Sequence, residues 1–145
     1  MNRVKRMQPA ADVAENRQKN AARLMGERQQ QLALRLQRLG ELQGYRDEYA
    51  AQFAVTPEVM TGLHIREYRL FLDRLNQAVE EQQHHVQQAR ELLEKSRKDW
   101  TRCRTHSDAI HKVIERLIAE EQGVQIRREQ AENDEFGQRS RMPKF

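Results

Sequence analysis

YRLFLDRLNQAVEEQQHHVQQARELLEKSRKDWTRCRTHSDAIHKVIERL, residues 68–117, repeats itself every seven positions. Tyr68, Leu75, Gln82, Ala89, Ser96, Cys103, Ile110, Leu117 and, just beyond, Val124 form one row. Leu72, Val79, Val86, Leu93, Trp100, Ser107 and Ile114 form a second; Phe71, Ala78, His85, Leu92, Asp99, His106 and Val113 form a third. Labelled as a heptad, the three rows take positions a, e and d. A seven-residue beat held this long requires a helix with a left-handed supercoil, since strands alternate with a period of two and disordered chains lack a beat. It predicts a helix over about 65–133, roughly 105 Å long at 1.5 Å per residue. The closing NDEFGQRSRMPKF reads as a fraying, basic tail over 134–145.

Upstream, no proline occurs between Pro9 and Pro57, and helix formers fill the span. Val13, Ala21, Leu24, Leu32, Leu36, Leu39, Leu42, Tyr45, Tyr49 and Phe53 recur mostly three or four apart, which is helical spacing. A first helix is expected over about 9–54, roughly 65 Å long. VTPEVMTGLH then breaks the pattern: Thr56 before Pro57 reads as an N-cap with proline in the first turn, so a turn is expected over about 55–64. Neither helix can bury its stripe alone. The fold expected is therefore all-α, one domain spanning 1–145, with two long helices in an antiparallel coiled-coil hairpin and the second helix longer. The C-terminal third of that helix is expected to overhang, and the polar middle of its seam to be the looser part.

Composition fits this reading. In 145 residues, 33% are charged and 37% hydrophobic, with only six glycines and three prolines. Mean hydropathy is −1.01. That leaves too little apolar surface for a multilayer core but suits helices burying one narrow stripe each. No run of about 18 apolar residues exists, so no membrane insertion is expected. The basic start, MNRVKRMQPAADVAEN, lacks the apolar stretch of a secretory signal. The single cysteine, Cys103, forms no internal disulfide and fits a reducing cytoplasm. The net charge of +4 favours acidic partners without specifying nucleic acid.

Five of the eight aromatic residues lie around the expected turn: Tyr45, Tyr49 and Phe53 before it, Tyr68 and Phe71 after it. They meet near the hairpin tip. One reading is that they clamp the tip as core. The other is that two helices cannot cover so many rings, which leaves some exposed together as a protein-binding patch. Both can hold, with tyrosine hydroxyls facing outward.

Catalytic signals are missing from the sequence. His84 and His85 diverge on a helix, as do His106 and His111; there is no HExxH and no Cys/His spacing suited to zinc, so neither metal nor cofactor is expected. Cys103 falls on the seam as a small hydrophobe, and a two-helix rod offers no pocket holding a base beside it. Glu80–Glu81 and Glu120–Glu121 sit on solvated surface rather than in a cleft. No enzyme is expected. Arg3, Lys5 and Arg6 at one terminus, and Arg139, Arg141 and Lys144 at the other, make one end of a hairpin basic. That end, like the stretch Arg90–Arg104, is either a solvated, internally paired face or an electrostatic plug for an acidic pore. Stacking on nucleic acid needs aromatics interleaved with the basic residues, and here they lie far apart.

Five segments in order resemble the flagellar export protein family FliJ: AARLMGERQQQL (21–32), LGELQGYRDEY (39–49), EYRLFLDRLNQAVEEQ (67–82), KDW (98–100) and AENDEFGQRS (131–140). The resemblance covers most of the chain. It implies a non-catalytic, stalk-like helical hairpin that inserts into the hexameric export ATPase and promotes ring assembly. It also implies binding to the linker of the large membrane subunit of the export gate, and a general chaperone role toward substrate-specific export chaperones. The location implied is cytoplasmic, peripheral to the inner-membrane export apparatus. The family's gate-binding residues carry over to Leu42, Tyr45, Tyr49, Phe71, Leu75 and Ala78. Two further positions depart: Arg38 stands for a glutamine and Gln82 for a histidine. The equivalent stalk of a virulence-type secretion system, a basic nucleic-acid-binding coiled coil and a self-assembling structural coiled coil remain as alternatives.

Overall fold

The computed structural model describes residues 2–55 and 62–141, and among them it contains two α-helices and no strand. Helix α1 spans Asn2–Val55, 54 residues, and α2 spans Gly62–Arg141, 80 residues. The architecture is all-α, a helical hairpin whose second helix is the longer. Contacts divide the chain into two compact units, residues 21–100 and residues 1–20 with 101–145.

In the unit 21–100 the helices run antiparallel. As numbering rises along α1 it falls along α2: Arg35 meets Gln82, and Tyr49 meets Tyr68 and Phe71. Val79, Val86 and Leu93 of α2 and Leu42 of α1 form the buried apolar core, with Gln82 and Ser96 buried beside them. Full burial of one such aliphatic side chain contributes about 1.5–3 kcal/mol, so the long narrow seam acts as a chain of small gains. The polar members fit because none is orphaned: no buried side-chain nitrogen or oxygen among the described residues lacks a partner.

In the unit 1–20 with 101–145, Ala11, Ala14, Ser107 and Ile114 are buried. Three of these are small, and small side chains are shut away only where two backbones come close. Glu15 of α1 meets His111 of α2, Oε1 to Nε2 2.8 Å, an ion pair when the imidazole is protonated. Residues 2–4 line a groove with Leu117, Val124 and Arg128, so this unit too is antiparallel. Beyond, residues 124–136 of α2 are all exposed.

The heptad rows need one correction. The rows beginning at Tyr68 and Leu72 together make the seam, alternating three and four apart, and the Leu72 row is the most buried. The Phe71 row, expected at position d, lies outside it: Phe71, His85, Leu92, His106 and Val113 are exposed. A period of seven identifies rows without saying which neighbouring pair faces the partner. On α1, likewise, Val13, Leu24, Leu36 and Tyr45 from the expected stripe are exposed. The real seam instead passes through Val4, Met7, Ala11 and Ala14 in one unit, and Met25, Leu32, Leu39 and Leu42 in the other.

Three boundaries differ from expectation. Helix α1 begins at Asn2 rather than near residue 9, with Pro9 inside it. Pro9 removes one main-chain hydrogen bond, but half-buried Val4 and Met7 continue the seam and offset that loss. Around the turn, Val55 and residues 62–64 are helical, so the break is narrower than 55–64; Thr56 and Pro57 lie outside the described residues. At the far end α2 continues past residue 133 to Arg141, so residues 134–141 are helix and not tail. Loss of apolar periodicity there marks loss of packing, whereas Glu135, Gln138, Arg139 and Arg141 still favour helix.

Candidate protein-docking surface

The rings near the turn divide into two sets. Phe53 and Tyr68 stack, centroids 4.3 Å apart and planes 13° from parallel, and both are half-buried. The Tyr68 hydroxyl donates to the main-chain carbonyl of Tyr49 at an exposed position between the helices. A helical carbonyl has a second lone pair free for such a bond. These two rings clamp α1 to α2.

Tyr45, Tyr49 and Phe71 form the second set. Tyr49 and Phe71 touch with centroids 4.5 Å apart at 39°, within the geometry aromatic pairs favour. They remain 38% and 42% exposed, and Tyr45 is 51% exposed. Some rings thus clamp the helices and others stay exposed. Three large side chains, contributed by both helices, share one solvent-facing side.

The other members of the expected gate-binding set lie deeper. Leu42 is only 9% exposed, on the seam beneath Tyr45 and Tyr49, while Leu75 and Ala78 are half-buried. All six lie in the unit 21–100, three as exposed rings and three as buried or half-buried aliphatic side chains. Arg38 lies on this surface, its Nη1 3.2 Å from Glu41 Oε2, both well exposed. Gln82 is buried and donates from Nε2 to the Arg35 carbonyl at 2.9 Å. Of the two departures from the family pattern, one therefore faces solvent and the other faces the seam.

Sequence reasoning missed exposed Leu34, Leu63 and Leu70. The available signal was their position off the three-and-four alternation of the seam. Among the described residues no group of three or more His, Cys, Asp or Glu could hold a metal, and no helix is long and apolar enough to cross a membrane. The groove beside residues 2–4 is of mixed charge, with Arg3 and Arg128 against Glu120 and Glu121.

A protein-family model described as "Flagellar FliJ protein" matches residues 3–143. No curated protein and no solved structure matches the chain significantly.

Proposed function

The chain belongs to the flagellar FliJ family, and from that premise we propose that it works as the non-catalytic stalk and escort of the flagellar type III export apparatus. Its hairpin enters the ring of the hexameric export ATPase. The ring-bearing side of the unit 21–100 grips the linker of the large membrane subunit of the export gate. It also handles substrate-specific export chaperones, working on the cytoplasmic face of the inner membrane without inserting into it.

The observation that carries this reading is the joint exposure of Tyr45, Tyr49 and Phe71 over a buried Leu42. Aromatic anchors of this size dominate interface energetics once desolvated, and truncating such a residue commonly costs 2 kcal/mol or more, as an order of magnitude. The anchors here are held before the partner arrives. Phe71 rests on Tyr49, and the Tyr49 ring in turn lies beside Tyr68, centroids 6.1 Å apart. Less side-chain freedom is therefore lost on docking. Affinity purification of the full chain from flagellated cells tests the assignment. Co-purification of the hexameric ATPase and the gate subunit is the expected result; recovery of neither overturns it.

A further inference from the structure

Val79 and Ser107 are both shut away from solvent, each 2% exposed, and they lie in different units. What surrounds them differs. In the unit of Val79, the buried apolar side chains are Leu42, Val86 and Leu93. Phe53 stacks on Tyr68 across the helices there, and Gln82 bonds to the Arg35 carbonyl. In the unit of Ser107, the residues that α1 buries are Ala11 and Ala14, while Val4 and Met7 are only half-buried. Apolar stabilisation scales with the area removed from water, and an alanine offers a single methyl group. Each turn of α1 therefore gains less in this unit than in the other.

The same stretch of α1 is also the poorest helix. It opens with Arg3, Lys5 and Arg6, has no acidic residue in its first turn, and reaches its first carboxylate at Asp12. Cations at the positive end of the helix dipole oppose helix formation. Pro9 withholds a main-chain donor, and its ring presses on the carbonyl four residues back. The cross-helix contact of His111 with Glu15 joins side chains that are 43% and 44% exposed, so solvent screens it. Weak packing and weak local helix coincide in residues 2–20. Segments that bury the least apolar surface open at the lowest free energy.

We propose that residues 2–20 of α1 form a strap that lifts from α2 as one unit while residues 21–55 stay paired, giving the hairpin a closed and a strap-open state. Opening bares the α2 row of Cys103, Ser107, Ile110, Ile114 and Leu117, which the strap covers when closed. The proposal goes beyond the gate-docking reading and does not depend on it, since the exposed rings belong to the other unit.

The test is thiol labelling of the full chain under native conditions, with Cys103 replaced by serine. Ser107→Cys and Val79→Cys each place one thiol in a closed position. Each rate is divided by the rate of the same variant unfolded in urea. Ser107→Cys is expected to label at least about tenfold faster than Val79→Cys. Pro9→Ala is expected to slow labelling at position 107 about tenfold and leave position 79 unchanged. Leu42→Ala is expected to do the reverse, speeding labelling at 79 and leaving 107 unchanged. Circular dichroism checks that each variant stays helical, and Val86→Cys serves where Val79→Cys loses helix. Equal rates at the two positions overturn the proposal. So does a Leu42→Ala effect of the same size at both, since the hairpin would then open only as a whole. Labelling at 107 that ignores Pro9→Ala overturns it as well, because the opening would not involve the start of α1.

Discussion

Gln82 of α2 donates a hydrogen bond across the helix interface to the main-chain carbonyl of Arg35 in α1, Nε2 to oxygen 2.9 Å. The contact links a buried amide to one point on the opposite backbone. Loss of an acceptor for this buried amide would cost about 1–3 kcal/mol, but a main-chain carbonyl recurs at every residue of α1, so the bond satisfies Gln82 without selecting one heptad register over another.

Gln82→Leu is therefore expected to hold or raise the melting temperature without changing register. Disulfide trapping between cysteines introduced at several levels of the two helices would read this out, in a background with Cys103 replaced by serine. Both chains should trap at one register. More than one register in the variant would show that Gln82 aligns the helices.

Leu42 and Tyr45 should separate stability from binding. Leu42 is buried, so Leu42→Ala is expected to cost about 2–4 kcal/mol of unfolding free energy. Tyr45 is half exposed, and Tyr45→Ala should change stability by less than about 1 kcal/mol. Urea unfolding followed by circular dichroism measures both. Equal losses would contradict the division into floor and surface.

Pro9 sits inside α1 in a described, continuous helix. Pro9→Ala restores a main-chain donor and removes a steric conflict, against a smaller entropic loss from the freer unfolded chain. A net gain of about 1–3 kcal/mol is expected. A destabilised variant would mean that residues 2–8 are not helical in solution.

The exposed end of α2 leads to a truncation test. Residues 129–136 are exposed and only Gly137 beyond them is half-buried among the described residues, so a chain ending at residue 128 should melt at nearly the same temperature as the full one. Its total helical signal should fall by about the share of the residues removed. A large drop in melting temperature would reveal packing on this segment.

Much of this was legible in the sequence, for a specific reason. The row from Leu72 through Val79, Val86 and Leu93 to Ile114 is regular enough to require a long helix, and the break before it leaves α1 as the partner. The facing side of α1 was harder to read. Its seam carries Gln18, Arg28 and Arg46, all half-buried, whose long stems pack while their polar ends reach outward. Following apolar residues alone leads instead to Val13, Leu24, Leu36 and Tyr45, which are exposed. The helix ends were misjudged because packing and helix propensity separate there: α2 continues as helix after its seam has run out of a partner. For the rings near the turn, ring content pointed to the region, but only their exposure in the folded hairpin separates Phe53 and Tyr68 as clamp from Tyr45, Tyr49 and Phe71, since Tyr49 shares the seam's three-and-four spacing with Phe53.

Isothermal titration of the export-gate cytoplasmic fragment into the full chain, Tyr45→Ala and Phe71→Ala asks most directly whether another protein grips the rings beside the turn. Each substitution is expected to weaken binding at least about tenfold, with helix content and melting temperature unchanged. Undiminished affinity in both variants would contradict it: the exposed rings would then be surface without a gate partner.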